Sequence, residues 1–352
     1  MEYLDAGDYT VELGGLLQSS FEQLLSRYNS AKKVIIVDEN THEHCLSYLI
    51  TSFEALNGAE VILLPEGEDN KQLEVALGAW EAFTEYGIGR YDLIINLGGG
   101  VVTDMGGFIA SCFKRGCDFI NIPTTLLAMV DASIGGKTGV NLGIYKNQIG
   151  VFSNPKAVFI DTSFLETLPE IEVYSGLAEM IKHGLIHDKE LFNRVTKQYD
   201  NLGDIDDTLL KDCIEVKRIV VAQDYMEVGL RKTLNFGHTI GHVIEGYYMK
   251  SLNLSHGHAI AIGMLMEAFL SIDHASLSQE DYKRIKKFIT SNYEIPNFTD
   301  EAITSMIEML RNDKKNKDGK ILTCLISEIG VCKYDVEVSE SVFLQTFKTF
   351  KV

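Results

Sequence analysis

Four histidines, His238, His242, His256 and His258, fall within 21 positions of a chain that has nine in all. They stand in Asn235-Phe-Gly-His-Thr-Ile-Gly-His242 and Leu254-Ser-His-Gly-His258. A second charged cluster lies upstream, Ser175-Gly-Leu-Ala-Glu179-Met-Ile-Lys182-His183. Neutral imidazoles with one carboxylate are the usual ligands of a catalytic divalent metal that keeps an open coordination position. His238 and His242, four apart, share one face if their segment is helical. That pair leaves two readings open: two metal ligands, or one ligand and one anion-binding group. There is no His-Glu-x-x-His, so a zincin-type protease is not supported. Glu179, Lys182 and His183 stand at i, i+3 and i+4, which on an exposed helix would be a surface pair worth only about 0.2–0.5 kcal/mol.

A second chemical signal is glycine-rich. Asp92-Leu-Ile-Ile-Asn-Leu97 reads as a strand that runs into Gly98-Gly99-Gly100 and on to Val101-Val-Thr103-Asp104. A strand, a glycine turn and a helix start let the backbone approach a pyrophosphate, whose charge the helix N-terminus favours. It is not the dinucleotide fingerprint G-x-G-x-x-G, because Thr103 holds the third glycine position. Gly135-Gly136-Lys137-Thr138 looks like the end of a Walker A loop, but Asp131 stands where its first glycine belongs. Lys137 reads instead as a cation in a polar loop from Asp131 to Asn141, closed by Lys146-Asn147.

These residues need a scaffold, and its periodicity is legible. Lys33–Asp38 and Glu60–Leu64 read as further buried strands, with helices over about 41–56 and 73–85 between them. Strands alternating with helices predict a parallel sheet covered on both faces. Pro65, Pro123, Pro155 and Pro169 all fall by residue 169, and only Pro296 follows. Beyond that point, 173–195, 206–222, 234–250 and 257–271 carry helical apolar spacing. The expected fold is therefore α/β, a Rossmann-like nucleotide-binding domain over 1–165, followed by an all-helical metal- and substrate-binding domain over 166–352. A late apolar pair, 321–326 and 331–335, is set for a hairpin around Ile329-Gly330.

Composition narrows the partners. At 352 residues two domains are the default, and 45% apolar content suffices for two cores. A net charge of −18 without a basic block argues against nucleic acid and anionic lipid. No apolar run reaches the roughly 18–20 residues of a membrane span, and the acidic start does not read as a signal peptide. Six scattered cysteines without C-x-x-C spacing fit free thiols in a cytoplasmic protein. An anionic substrate would then need cations concentrated at one place, which makes the positions of lysine and arginine informative.

The chain resembles the 3-dehydroquinate synthases, members of the sugar-phosphate cyclase superfamily. The matching segments are Pro65-Glu-Gly-Glu68-Asp-Asn-Lys71, Gly98 to Phe108, Lys114-Arg115-Gly116 and Pro123-Thr124-Thr125 to Asp131. They continue with Gly136-Lys137 to Asn141, Lys146-Asn147, Ser175 to Lys182, Lys217, Glu227-Val-Gly-Leu-Arg231, Leu234 to His242, His256-Gly and Asp313-Lys314-Lys315. The segments run in the family's order from about residue 33 to 333. The resemblance implies an active site between the two domains, with zinc, or cobalt in some members, on Glu179, His238 and His256. His242 would then bind the substrate phosphate with Lys137 and Asn147, joined by Arg115 from the second subunit of a homodimer. Lys217 and Arg231 would hold a carboxylate. Asp131, Glu179, Lys182 and Asn235 would contact ring hydroxyls, and Lys314 would belong to the substrate site. NAD would lie on Asp38, Glu68, Lys71, Gly99, Gly100, Val101, Asp104, Thr124, Thr125, Lys137, Lys146 and Thr167. Two positions depart from the family's pattern: Thr103 replaces a frequent glycine, and His258 stands where Glu is usual.

The implied reaction converts 3-deoxy-D-arabino-heptulosonate 7-phosphate to 3-dehydroquinate and phosphate, within the shikimate pathway. It proceeds by transient oxidation with NAD, elimination of phosphate, re-reduction and aldol closure. Such a substrate carries close to three negative charges. Arg115, Lys137, Lys146, Lys182, Lys217, Arg231 and Lys314 offer the focused cations it needs. A cyclase making an inosose or valiolone is the nearest alternative, and Lys217 with Arg231 speaks against it because those substrates have no carboxylate. A metal-dependent polyol dehydrogenase would release NADH. A catalytically dead regulator would not need Glu179, Lys182, His238 and His256 together.

Overall fold

The computed structural model describes residues 1–143, 145–199, 205–252, 254–311 and 320–351. Lys314 lies outside the described residues. The chain divides into two compact units, Met1–Pro169 and Glu170–Val352.

The first unit opens with strands β1 (Glu2–Asp5) and β2 (Thr10–Leu13), helix α1 (Phe21–Ser26) and strand β3 (Lys33–Asp38). The helical stretch expected over 41–56 is three pieces: α2 (Glu39–His44), α3 (Leu46–Ser52) and a 3-10 turn at Glu54–Leu56. Its start is earlier because Asp38 and Thr41 form a reciprocal capping box, and its end comes where Phe53 turns extended. Strand β4 (Glu60–Leu64), helix α4 (Leu73–Glu85), strand β5 (Leu93–Gly98) and helix α5 (Gly100–Cys112) follow. Strand β6 (Asp118–Pro123), the pair β7 (Lys137–Leu142) and β8 (Tyr145–Phe152), and β9 (Ala157–Ile160) complete the unit.

The main sheet has seven strands in the order β1-β2-β9-β6-β5-β3-β4. All its pairings are parallel except the edge pair β1–β2. From β3 the chain goes outward to β4 and then returns to β5 on the other side. That reversal opens a crevice at the carboxyl ends of β3 and β5, the place where open α/β sheets bind ligands. Asp38 ends β3 and Gly98 ends β5. Val34, Ile36 and Ile94 from the sheet pack with Phe83 of α4 and Val102, Met105 and Ile109 of α5. Each such side chain contributes about 1.5–3 kcal/mol on burial. The polar stretch 131–141, expected as a loop, ends as strand β7, which pairs antiparallel with β8 and packs against α5. Its glycines hid this strand from a reading by propensity.

The second unit begins with α6 (Glu170–His187) and α7 (Lys189–Gln198). Apolar spacing runs through 173–195 without a break, but Asp188 accepts a hydrogen bond from Glu190 N at 2.7 Å and caps a new helix. Then come α8 (Asp207–Gln223), a 3-10 turn at Leu230–Asn235, α9 (His238–Leu252) and α10 (His256–Ala275). Helices α11 (Gln279–Asn292) and α12 (Asp300–Arg311), hairpin strands β10 (Lys320–Glu328) and β11 (Val331–Ser339), and α13 (Glu340–Thr349) end the unit. The unit is thus largely helical rather than all-helical, and the hairpin around Ile329-Gly330 is its β element. Ile240 and Ile244 of α9, Ile262 and Met266 of α10, and Met306, Leu325 and Phe343 share one core. Helix α10 packs against α9, α6, α11 and β10. Among the described residues no helix is long and apolar enough to cross a membrane.

Candidate active site

Helix α6 is buried along nearly its whole length, from Val173 to Ile186 apart from Tyr174. Glu179 and Lys182 are each 1% exposed, so their i, i+3 ion pair is not the surface pair that spacing alone suggests. Burying charges is costly unless something compensates them, and a buried pair is weak evidence for stability alone. Glu179 Oε1 makes no hydrogen bond; it faces two imidazole nitrogens instead. It lies 3.8 Å from His238 Nε2 and 3.5 Å from His256 Nε2.

Three features bring those groups together. His238 is the first residue of α9, and His256 the first of α10. Ser255 caps α10 through its hydroxyl. Gly257 lets α10 rest directly on α6: a Cβ there would lie 2.2 Å from the Ser175 carbonyl oxygen, and Gly257 N donates to Ser175 Oγ at 2.9 Å.

Both rings are oriented from behind. The Phe236 carbonyl lies 3.1 Å from His238 Nδ1, and Glu245 Oε2 lies 3.3 Å from His256 Nδ1. Such partners fix the tautomer that leaves Nε2 as the ligand. Donors about 2.1 Å from a tetrahedral ion stand roughly 3.4 Å apart, close to the spacings found here. The trio therefore fits a divalent ion such as zinc or cobalt. Burial, reinforced by Lys182, His242 and His256, holds the His238 imidazole well below its usual pKa, so it is neutral and ready to ligate. Burial also disfavours charge on His256, but Glu245 and Glu179 outweigh it and push the ring up to about 9. A divalent cation held there would meet the same carboxylates, and its binding would displace that proton.

His242 is exposed on the next turn of α9, with its ring 5.1 Å from that of His238 and 6.0 Å from that of His256. A second grouping, His242, Glu245 and His256, also has ligand atoms within 4.8 Å of one another. Glu245 was not singled out from the sequence. It follows His242 by three residues, a same-face spacing that could have found it.

Arg231 and Asn235 lie on the 3-10 turn that packs against α8, which carries Lys217. Arg231 is 1% exposed and donates from Nη1 to the Tyr225 carbonyl at 2.6 Å. Its guanidinium stands 6.0 Å from the centre of the Tyr225 ring. Asp224 ties this loop by accepting from the backbone N–H groups of Val228, Gly229 and Arg231. Asn235 donates to Glu227 Oε1 at 3.0 Å. Lys217 is 8% exposed. His258 is occupied elsewhere: its Nε2 lies 2.8 Å from the Glu294 carbonyl and its ring stacks edge-on against Tyr293.

In the first unit a compact network joins several expected residues. Lys71, 3% exposed, donates to Asp104 Oδ2 at 2.6 Å and to Asn147 Oδ1 at 2.7 Å. Asn141 links the set, donating to Glu68 Oε1 and accepting from Asn147 N. Gly99 caps α5 beside Thr125, whose Cγ2 would lie 2.9 Å from a Cβ at that glycine. Gly100 and Val101 form the first turn of α5. Thr103 does not disturb that turn, because its hydroxyl donates to the Gly99 and Gly100 carbonyls. Thr124 N donates to the Gly98 carbonyl. Asp38 caps α2, while Thr167 is exposed at the end of a 3-10 turn. Lys137 and Lys146 stand on the two strands of the β7–β8 hairpin, and Asp131 lies in a π-helical turn before it. Arg115 is exposed, with φ of 66°.

A family model for the 3-dehydroquinate synthase N-terminal region matches residues 61–175, and one for the C-terminal region matches 176–316. The chain belongs to the 3-dehydroquinate synthase family. A 3-dehydroquinate synthase of Parabacteroides distasonis is 39% identical over 333 residues, covering 93% of this chain and 92% of that one. Membership carries the activity, 3-dehydroquinate synthesis in the shikimate pathway. Among solved structures, a 2-deoxy-scyllo-inosose synthase with carbaglucose-6-phosphate, NAD+ and Co2+ superposes with a TM-score of 0.87 at 24% identity over 99% of both chains. A 2-epi-5-epi-valiolone synthase from Streptomyces hygroscopicus, with NAD+ and Zn2+ bound, gives 0.84 at 26% identity, over 99% of this chain and 98% of that one.

Proposed function

We propose that the chain carries out the family reaction with NAD and one divalent ion, the ion held by Glu179, His238 and His256. The observation that carries this is the buried Glu179 oxygen, without a hydrogen bond, facing two Nε2 atoms whose Nδ1 atoms are already engaged. When bound, NAD supplies a hydride acceptor and donor, and the ion a Lewis acid toward the substrate's C5 oxygen.

The chain's own residues do the rest. The Lys182 ammonium, paired with Glu179, favours a deprotonated hydroxyl near it and positions the ring hydroxyls with Asn235 and Asp131. Arg231 and Lys217 bind the substrate carboxylate, Arg231 with the planar fork that suits it. His242, Lys137 and Asn147 hold the phosphate, which takes the C6 proton as it leaves. Arg115 of the partner subunit in a homodimer adds a further cation. Asp38 at the end of β3, the Gly99–Val101 turn after β5, Asp104, and Glu68 and Lys71 after β4 would hold NAD. Thr124, Thr125, Lys146 and Thr167 complete that site, with Lys137 shared between cofactor and substrate.

Metal removal tests this reading. A chelator should abolish phosphate release from the heptulosonate phosphate, and added zinc or cobalt should restore it. Full activity in protein shown to be free of divalent metal would overturn it.

A further inference from the structure

His238 and His256 sit on different helices, so their spacing depends on how α9 is fixed against α10. The first N–H groups of a helix have no partner within it. At the start of α9, two of them are taken by a single side chain from the middle of α10. Gly237 N donates to Glu267 Oε2 at 2.7 Å, and Ile240 N donates to Glu267 Oε1 at 3.0 Å. Glu267 is 0% exposed. One turn earlier on α10, Gly263 lets the helices touch: a Cβ there would lie 2.0 Å from the Gly237 carbonyl oxygen. Glu267 and Gly263 therefore grip the backbone on either side of His238.

A buried carboxylate is a costly cap. Elsewhere in this unit local serines suffice: Ser255 caps α10 and Ser278 caps α11 through their own hydroxyls. The residue before α9 is Gly237, at φ 81°, which has no side chain to offer. The cap comes instead from the helix that carries the other histidine. The charge complements the helix dipole, and a carboxylate taking two N–H bonds is held in one orientation.

We propose that Glu267 is a positioning residue of the metal centre: by capping α9 from α10 it holds His238 beside His256 and Glu179, with the ligand atoms of the three within 4.8 Å of one another. This rests on the assignment of the ion to Glu179, His238 and His256.

The test is metal affinity of the full chain, measured by competition with a chromophoric chelator. Glu267→Gln keeps the shape but turns an amide NH2 toward one backbone N–H. Its zinc affinity should fall about 10–100-fold, as for other partners behind metal ligands, with a changed ligand-field spectrum in the cobalt form. Ser271→Ala is the control. Ser271 is equally buried on α10, but it bonds the Glu267 carbonyl and Ile326 N rather than α9. That variant should keep zinc affinity within roughly twofold. Should Glu267→Gln fail to fold, Glu267→Asp retains the charge with a shorter reach and should show the same weakening. Wild-type affinity and spectrum in the folded Glu267 variant, or equal weakening in Ser271→Ala, would overturn the inference. Zinc affinity left unchanged by His238→Ala in a chain with Glu267 intact would instead overturn the metal assignment beneath it.

Discussion

His238→Ala should lose its divalent ion and its activity together, while His242→Ala should keep the ion and bind phosphate-bearing ligands less well. The two histidines are neighbours on α9, with rings 5.1 Å apart, yet their surroundings differ. His238 has its Nδ1 against the Phe236 carbonyl and its Nε2 toward Glu179, the arrangement of an oriented ligand. It is also held neutral, which a metal ligand must be. His242 is exposed, where a phosphate can reach it. Changes behind metal ligands already cost about 10–100-fold in affinity, so loss of the ligand itself should exceed about 100-fold. Metal content after dialysis, read beside phosphate release, checks both variants. Retention of the ion by His238→Ala with its loss from His242→Ala would place the centre on His242, Glu245 and His256, the other grouping the geometry permits.

The second large effect concerns which substrate is accepted. Arg231 is 1% exposed and pinned by the Tyr225 carbonyl, and its loop is tied by three N–H bonds to Asp224. A pre-set guanidinium loses little freedom on binding a carboxylate. Removing one partner of a buried charged pair costs about 2–5 kcal/mol. Arg231→Ala should therefore cut kcat/KM for the heptulosonate phosphate by roughly 30-fold or more. Sedoheptulose 7-phosphate, which has no carboxylate, should be affected far less. Equal losses for both would make Arg231 a structural residue. This matters because the inosose and valiolone synthases share the fold, at TM-scores of 0.87 and 0.84.

How much was legible differs from residue to residue. Strands β3 and β4 and helix α4 have the bounds that apolar runs and periodicity predict. Breaks inside apolar runs were not legible, because Asp188 and the Asp38–Thr41 box act through local backbone bonds that periodicity does not register. The β7–β8 hairpin was hidden for the opposite reason: Gly139, Asn141 and Lys146 carry little strand propensity, and long-range packing on α5 decides. Spacing placed Glu179 and Lys182 on one helix face but could not reveal that the face is interior, since α6 is buried all round. Glu245 and Glu267 act only through contacts between helices, and those are a property of packing.

The most direct measurement follows phosphate release and reduced-nicotinamide absorbance together, in one reaction with the heptulosonate phosphate, NAD and the metal-loaded chain. Oxidation and re-reduction within one turnover predict phosphate released in many equivalents per NAD, no net NADH, and no phosphate when NAD is withheld. One NADH accumulating per substrate consumed, as in a dehydrogenase that shares this fold, would contradict the synthase mechanism proposed for this site.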